Sequence, residues 1–309
     1  VFYFSGTGNT LSIAREISQK IEAELVCISE VVKTQRKYFC ASKAVIVFPS
    51  YLAPLSGLPL VVEKFVKSID NIGDITFFAV CNCGGYESVN AFPSLHKLRQ
   101  IIQSCGGKLY AEYYLRMPMN NLDYDHIPIP INRNQEDIIR ISKLKIDQIC
   151  SYIMNNKKTR HKVGKDLFFL IMNPIYKLMR PAIMKELKAR AYEPADSGLQ
   201  YYELIPLTDK SIGVDEKCNG CGICARVCPV GNIIIKNEKP EFQHRCEMCF
   251  ACDEWCPTDS IHHWSRENGV KYHHPEVSVA NLLNKQIEMA VTDTKFEKRC
   301  HERNPTPKR

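Results

Sequence analysis

A chain of 309 residues with 45% hydrophobic side chains is long enough for two domains, each with its own core. Fifteen cysteines without a leader-like stretch argue against a disulfide-stapled secreted scaffold and for a reducing, cytoplasmic setting. No apolar run of membrane-spanning length is present, and the formal charge of +7 is concentrated in one stretch.

The first half predicts alternating strands and helices. Val1 to Phe4 is a short apolar strand running into Ser5, Gly6, Thr7, Gly8, Asn9 and Thr10, after which Leu11, Ile13, Ala14, Ile17 and Ile21 recur at helical spacing. A strand, a hydroxyl-rich loop and a helix start make an anion site from backbone N–H groups and the helix dipole. The loop holds no Lys or Arg, so dipoles and hydrogen bonds alone would neutralise a phosphate. Further strands are expected near Ala23–Ile28, Ala44–Phe48, Ile75–Val80 and Leu109–Leu115, with helices near Leu60–Ile69, Val89–Ser104 and Gln135–Met154. Pro59 suits a first helical position, and Gly106-Gly107 a helix stop. Such alternation implies an α/β fold, a doubly wound five-stranded parallel sheet, with its ligand at the carboxyl ends of the strands.

The run from Ser5 to Thr10 resembles the FMN-phosphate loop of flavodoxins; the nicotinamide fingerprint would need glycine where Leu11 stands. That resemblance implies a flavodoxin-like domain over 1–156 whose other flavin contacts leave strands three and four: Ser50 and Tyr51, then Asn82, Cys83, Gly84, Gly85 and Tyr86. Tyr51 and Tyr86 would stack on the isoalloxazine, while the main chain from Asn82 to Gly85 would meet its pyrimidine edge. Met117–Asn134 holds Pro118, Pro128 and Pro130 and reads as an extended excursion, either a lid over the flavin or a plain surface loop.

Residues 157–210 form a basic connector. Between Lys157 and Arg190 ten Lys or Arg face Asp166 and Glu186, which accounts for the whole positive excess. The apolar run Leu167–Met172 is interrupted at Pro174 and again at Pro181, so short helices beginning at each Pro are expected, packed on a domain or offered to a membrane surface or an acidic partner.

Residues 211–265 carry the most specific pattern. Cys218, Cys221, Cys224 and Cys228 precede Pro229, and Cys246, Cys249, Cys252 and Cys256 precede Pro257. Each half reads C-x2-C-x2-C-x3-C-P, the run that holds a 4Fe-4S cluster. Three closely spaced thiolates wrap one cubane while the fourth crosses to the other, which assigns Cys218, Cys221, Cys224 and Cys256 to one cluster and Cys246, Cys249, Cys252 and Cys228 to the second. Zinc also uses C-x2-C pairs but has no need of the C-x3-C-P ending twice. The stretch resembles the bacterial two-cluster ferredoxins, a small α+β domain. Ile223, Val227, Ile233, Phe250, Trp255 and Ile261 would keep water from the clusters. Two clusters at roughly −2 each and a flavin phosphate at about −2 bring the assembled charge near +1, which leaves no global argument for nucleic acid.

Paired histidines 262, 263, 273 and 274 read as hydrogen-bonded structural groups, and beyond residue 265 Val279, Leu282, Leu283, Ile287 and Met289 read as a final helix before a polar tail. The whole chain resembles the family in which a flavodoxin-like domain is fused to a two-cluster ferredoxin. That resemblance implies electron transfer between FMN and two 4Fe-4S clusters, with redox proteins of the ferredoxin type as external partners. The alternative is a reductase that reduces a small molecule at FMN with electrons fed through the clusters; whether the chain is an enzyme stays open.

Overall fold

The computed structural model describes residues 1–52, 55–85, 90–120, 134–157, 163–263 and 271–283, with side chains from 163 to 170 and at 172 left aside. Strand β1 (Phe2–Tyr3) leads through the Ser5–Gly8 turn into helix α1 (Asn9–Lys20), which buries Leu11, Ile13, Ala14 and Ile17. Then follow β2 (Val26–Cys27), α2 (Ile28–Thr34), β3 (Lys43–Pro49), α3 (Leu60–Lys67), β4 (Thr76–Cys83), α4 (Phe92–Ser104), β5 (Lys108–Arg116) and α5 (Gln135–Met154). The strands pair in parallel in the order β2-β1-β3-β4-β5. That is the flavodoxin-like order, which reverses between β1 and β3 and puts a crevice at their carboxyl ends. Ala44–Phe48 and Phe77–Cys81 are buried throughout, as central strands covered by helices on both faces require.

Three local expectations are corrected. Helix α2 begins directly after β2, where the sequence offered too short a periodic run to register. Pro59 is the residue before α3, not its first. The connector is one helix, α6 (Val163–Arg190), with Pro174 and Pro181 inside it. Seven residues apart, the two prolines share a face, so the hydrogen bonds they remove come from one side and the other side continues the helix.

Helix α6 packs through Ile183, Met184 and Leu187, with Ala191 just past its end, on α7 (Tyr201–Leu207) and on Met248 and Phe250. Ile171, Ile175, Leu178 and Met179 are exposed along it. The cysteine-rich part has little regular structure: β6 (Gly213–Val214), α8 (Ile223–Val227), a β7 (Ile233–Lys236) and β8 (Lys239–Phe242) hairpin, α9 (Ala251–Glu254) and β9 (Ile261–His262), which pairs back with β6. The chain then returns along the first domain through 271–277 into α10 (Val279–Leu283). No helix among the described residues is long and apolar enough to cross a membrane.

Candidate functional site

Eight cysteines converge in two crossed groups. One cavity is lined by Cys218, Cys221, Cys224 and Cys256, with Ile235, Pro240, Pro257 and Ile261 beside them. A second is lined by Cys228, Cys246, Cys249 and Cys252, with Ile233, Phe242, Met248 and Phe250. Cys228 and Cys256 thus each stand with the other half's triplet.

Left-handed backbone aims the loops. Gly220 (φ 70°) and Gly222 (φ 72°) turn the first triplet, and a Cβ on Gly220 would press on the Glu238 carbonyl at 2.9 Å. Met248 and Phe250 take the equivalent conformation in the second triplet at φ 52° and 61°, where a side chain is strained; both side chains line the cavity. Main-chain donors reach the sulfurs: Asn232 N–H to Cys228 Sγ at 3.2 Å, Met248 N–H to Cys246 Sγ and Ser260 N–H to Cys256 Sγ at 3.3 Å. Such donors favour the thiolate.

The two groups differ in setting. Cys221 is exposed and Cys218 half-buried, so the first cavity faces outward. Burial drives the Cys246 and Cys252 thiols well above their ordinary value, with neighbouring cysteines adding to it. Burial likewise pushes Cys224 up to about 11, relieved partly by the Ala225 N–H and reinforced by Cys221, Cys256 and Cys218. Ionising such thiols needs compensating positive charge, which iron supplies when bound. Among the described residues no three Cys, His, Asp or Glu close on a point that one metal ion could occupy.

The second group abuts the flavodoxin-like sheet. Ser5, Thr7, Asn9 and Thr10 are 3%, 5%, 7% and 2% exposed, so the expected phosphate loop is shut off from solvent. Its chemistry suits a phosphate: the N–H groups opening α1 have no intrahelical acceptors, and only the Gly8 N–H turns back, to Ser5 Oγ at 3.3 Å. The other sides of the loop are occupied. A Cβ on Gly6 would collide with the Cys249 carbonyl and lie 3.0 Å from Cys249 Cβ, and one on Gly8 would meet Val277 and His274 at 3.0 and 3.1 Å. Trp255 Nε1 donates to Gly6 O at 3.1 Å, His274 N to Thr7 O at 3.0 Å and Tyr272 Oη to Asn9 Oδ1 at 2.7 Å.

The remaining predicted flavin contacts meet the same fate. Thr10 Oγ1 donates to Asn82 Oδ1 at 2.7 Å, and Met117 N to Cys83 O at 2.9 Å. The Met119 side chain lies where a Cβ of Gly84 would be, and Asn90 does so at Gly85. Ser50 Oγ bonds Asn90 O at 2.5 Å and Ser94 Oγ at 2.7 Å. Tyr51 stands edge-on to Phe4, ring centroids 6.4 Å apart, and its hydroxyl is raised well above its ordinary value by burial and by Cys249, Glu247 and Cys246. Ser5, Gly6, Thr7, Gly8, Asn9, Thr10, Ser50, Tyr51, Asn82, Cys83, Gly84 and Gly85 therefore gather at the carboxyl ends of β1, β3 and β4 as expected. The chain's own residues cover them, and an isoalloxazine, which needs a pocket of several hundred Å³, does not fit this arrangement. Tyr86 and positions 121–133 of the excursion lie outside the described residues; Asn120 Nδ2, just before them, donates to Thr7 Oγ1 at 3.2 Å.

Two features went unseen in the sequence. Glu247, between Cys246 and Cys249, reaches across to the start of α3, where Oε2 accepts from Leu60 N at 2.9 Å; burial raises its carboxyl to about 8 against the Leu60 and Val61 N–H groups. Its signal was an acid directly after the first cysteine of the second run. Tyr272 and His274 act mainly on backbone and amide groups, which leave no pattern.

Residues 211–257 match the 4Fe-4S dicluster domain family. An uncharacterized ferredoxin of Methanocaldococcus jannaschii is 42% identical over 53 residues, 17% of this chain and 30% of its own. The polyferredoxin protein MvhB of Methanothermus fervidus is 41% identical over 61 residues, 18% of this chain and 14% of its own. The chain thus spans less than a third of either relative. The Trp repressor binding protein of Bacillus subtilis superposes on 48% of this chain and 95% of its own, at 14% identity and a TM-score of 0.33. A Streptococcus pneumoniae flavodoxin covers the same shares at 13% identity and a TM-score of 0.30. On its strand order and its cysteine runs, this chain is a fusion of a flavodoxin-like α/β domain with a ferredoxin-type 4Fe-4S domain.

Proposed function

We propose that the chain is an electron carrier in which Cys218, Cys221, Cys224 and Cys256 hold one 4Fe-4S cluster and Cys228, Cys246, Cys249 and Cys252 hold a second. The observation that carries this reading is the sorting of eight cysteines into two crossed quartets, each around its own cavity. A 4Fe-4S cluster supplies one-electron chemistry. The protein's part is to fix the quartets side by side, to donate N–H groups to the sulfurs and to wall them with Val227, Ile233, Phe250, Trp255 and Ile261, all buried. External partners are redox proteins of the ferredoxin type, meeting the chain at the outward quartet, where Cys221 is exposed.

The FMN relay implied by the flavodoxin resemblance is a second reading. The N–H groups at the start of α1 favour it, and it requires the cluster domain and residues 271–277 to leave the loop. Reduction of a small molecule at that flavin carries the same requirement. The test is anaerobic reconstitution with iron and sulfide, followed by stepwise reduction watched by electron paramagnetic resonance. About eight irons and eight sulfides per chain, reduced in one-electron steps, are expected; zinc in place of iron, or about four irons, sinks the assignment.

A further inference from the structure

We infer that the flavodoxin-like face is an internal dock: the loop Ser5–Thr10 seats the inner cysteine loop and the 271–277 segment, and the docked chain carries clusters without flavin. The inference rests on the electron-carrier reading and adds a role for the first domain.

The fit is built from both sides. Gly6 is not needed for its own backbone, since its φ is not positive. What demands glycine there is Cys249, whose carbonyl and Cβ lie where a side chain would stand. Gly8 does need its conformation, with φ 100°, and the space beside it is filled by His274 and Val277. The outward carbonyls of the loop, which water would bond if the domain stood alone, are each answered from the other part of the chain: Gly6 O by the Trp255 indole and Thr7 O by the His274 N–H. Tyr272 completes the set on Asn9 Oδ1. A carbonyl buried by docking is costly to leave unpaired, so closure requires these partners.

The rim is closed as well. Glu247 caps the start of α3, and Lys143 on α5 pairs with Glu276 at 2.6 Å. Trp255 is itself clamped, stacked on His273 at 4.2 Å between ring centroids. Three separated pieces of chain, near Cys249, near Tyr272 and near Asn120, thus meet on one six-residue loop. Dock and flavin compete for the same face. With the dock closed, Cys249 of the inner quartet is buried against the Gly6 loop.

The test uses the full chain, reconstituted anaerobically and incubated with FMN, then desalted. Less than about a tenth of a flavin per chain is expected alongside wild-type iron. One FMN bound with the full iron complement overturns the dock; iron absent under all conditions refutes the electron-carrier reading and is scored separately on the same sample. Hydrogen exchange at amides 6–10 gives the second readout. Trp255→Phe removes the donor to Gly6 O, and exchange should accelerate about fivefold. Tyr272→Phe, which stands outside the cluster walls and loses only the Asn9 contact, should accelerate it likewise with iron unchanged. Loop amides that exchange as freely as exposed backbone in the unaltered protein, or that ignore both substitutions, overturn the inference.

Discussion

Glu247 offers the sharpest measure of how firmly the two halves are joined. Its carboxylate crosses from the inner cysteine loop to α3, accepting from Leu60 N at 2.9 Å and from the Val61 N–H, and the residue is 8% exposed. In Glu247→Ala both N–H groups lose their acceptor in a site water reaches poorly, at about 1–1.5 kcal/mol each, or about 2–3 kcal/mol in all. Glu247→Gln keeps an acceptor oxygen and escapes the burial penalty that lifts the carboxyl to about 8, so it should cost within about 1 kcal/mol. At about 2–4 °C per kcal/mol for domains of this size, anaerobic thermal unfolding should show a fall of about 5–10 °C for Ala and little for Gln. The control is Glu186→Ala, which removes an exposed ion pair with Arg190 and should shift the transition by no more than about 2 °C. If Glu247→Ala matched that control, the carboxylate would not be joining the halves and the reasoning from burial would fail.

The crossed quartets predict which substitutions belong together. Cys256→Ser should perturb the same resonance signal as Cys218→Ser, and Cys228→Ser the signal shared with Cys252→Ser; pairing of Cys228 with the Cys218 set would reverse the assignment. His274 gives a pH dependence. Burial holds its imidazole below the ordinary value, with Glu276 opposing and Lys143 adding. The unfolded chain therefore binds that proton more readily, and stability present at neutral pH is lost as pH falls below about 6.5. Unfolding temperatures measured from about pH 7.5 to about pH 5.5 should fall more in the wild type than in His274→Gln; parallel curves would clear His274 of the effect. Iron removal by an anaerobic chelator should strip hydrogen-exchange protection from 212–263 while the five-stranded sheet keeps its own, and equal loss in both would mean the sheet depends on the clusters too.

What the sequence disclosed and what it hid divide along a physical line. The sheet was legible because Ala44–Phe48 and Phe77–Val80 are unbroken apolar runs, which only strands covered on both faces carry. The quartets were legible because cluster geometry dictates ligand spacing along the chain. Helix α6 was misjudged because proline reports a missing hydrogen bond, not whether the surrounding ladder survives without it. The covering of the phosphate-type loop was hidden for a different reason. Its contacts run through Gly6 O, Thr7 O, His274 N and the Cys249 carbonyl, and main-chain atoms are the same in every residue. Ser5 to Thr10 kept the composition of an anion loop while its surroundings changed its use.

The two cysteine runs are alike in spacing, yet their ends of the domain cannot be equivalent. Exchange of Cys228 and Cys256 ties the halves so that neither quartet closes without the other, and β6, β7, β8 and β9, none longer than four residues, add little independent order. Symmetry of motif is then broken by what lies outside. At one end stand exposed Cys221 and half-buried Cys218; at the other, Cys249 presses on Gly6 and Met248 is packed among Leu55, Leu187 and Leu204. On the proposed assignment a partner protein approaches most closely at exposed Cys221, so electrons enter and leave there and reach the inner quartet through the outer one. A chain with the outer quartet broken by Cys221→Ser should keep an inner signal that chemical reductants reduce but a ferredoxin-type partner reduces much more slowly. Equal rates with both would mean that the inner end is open after all.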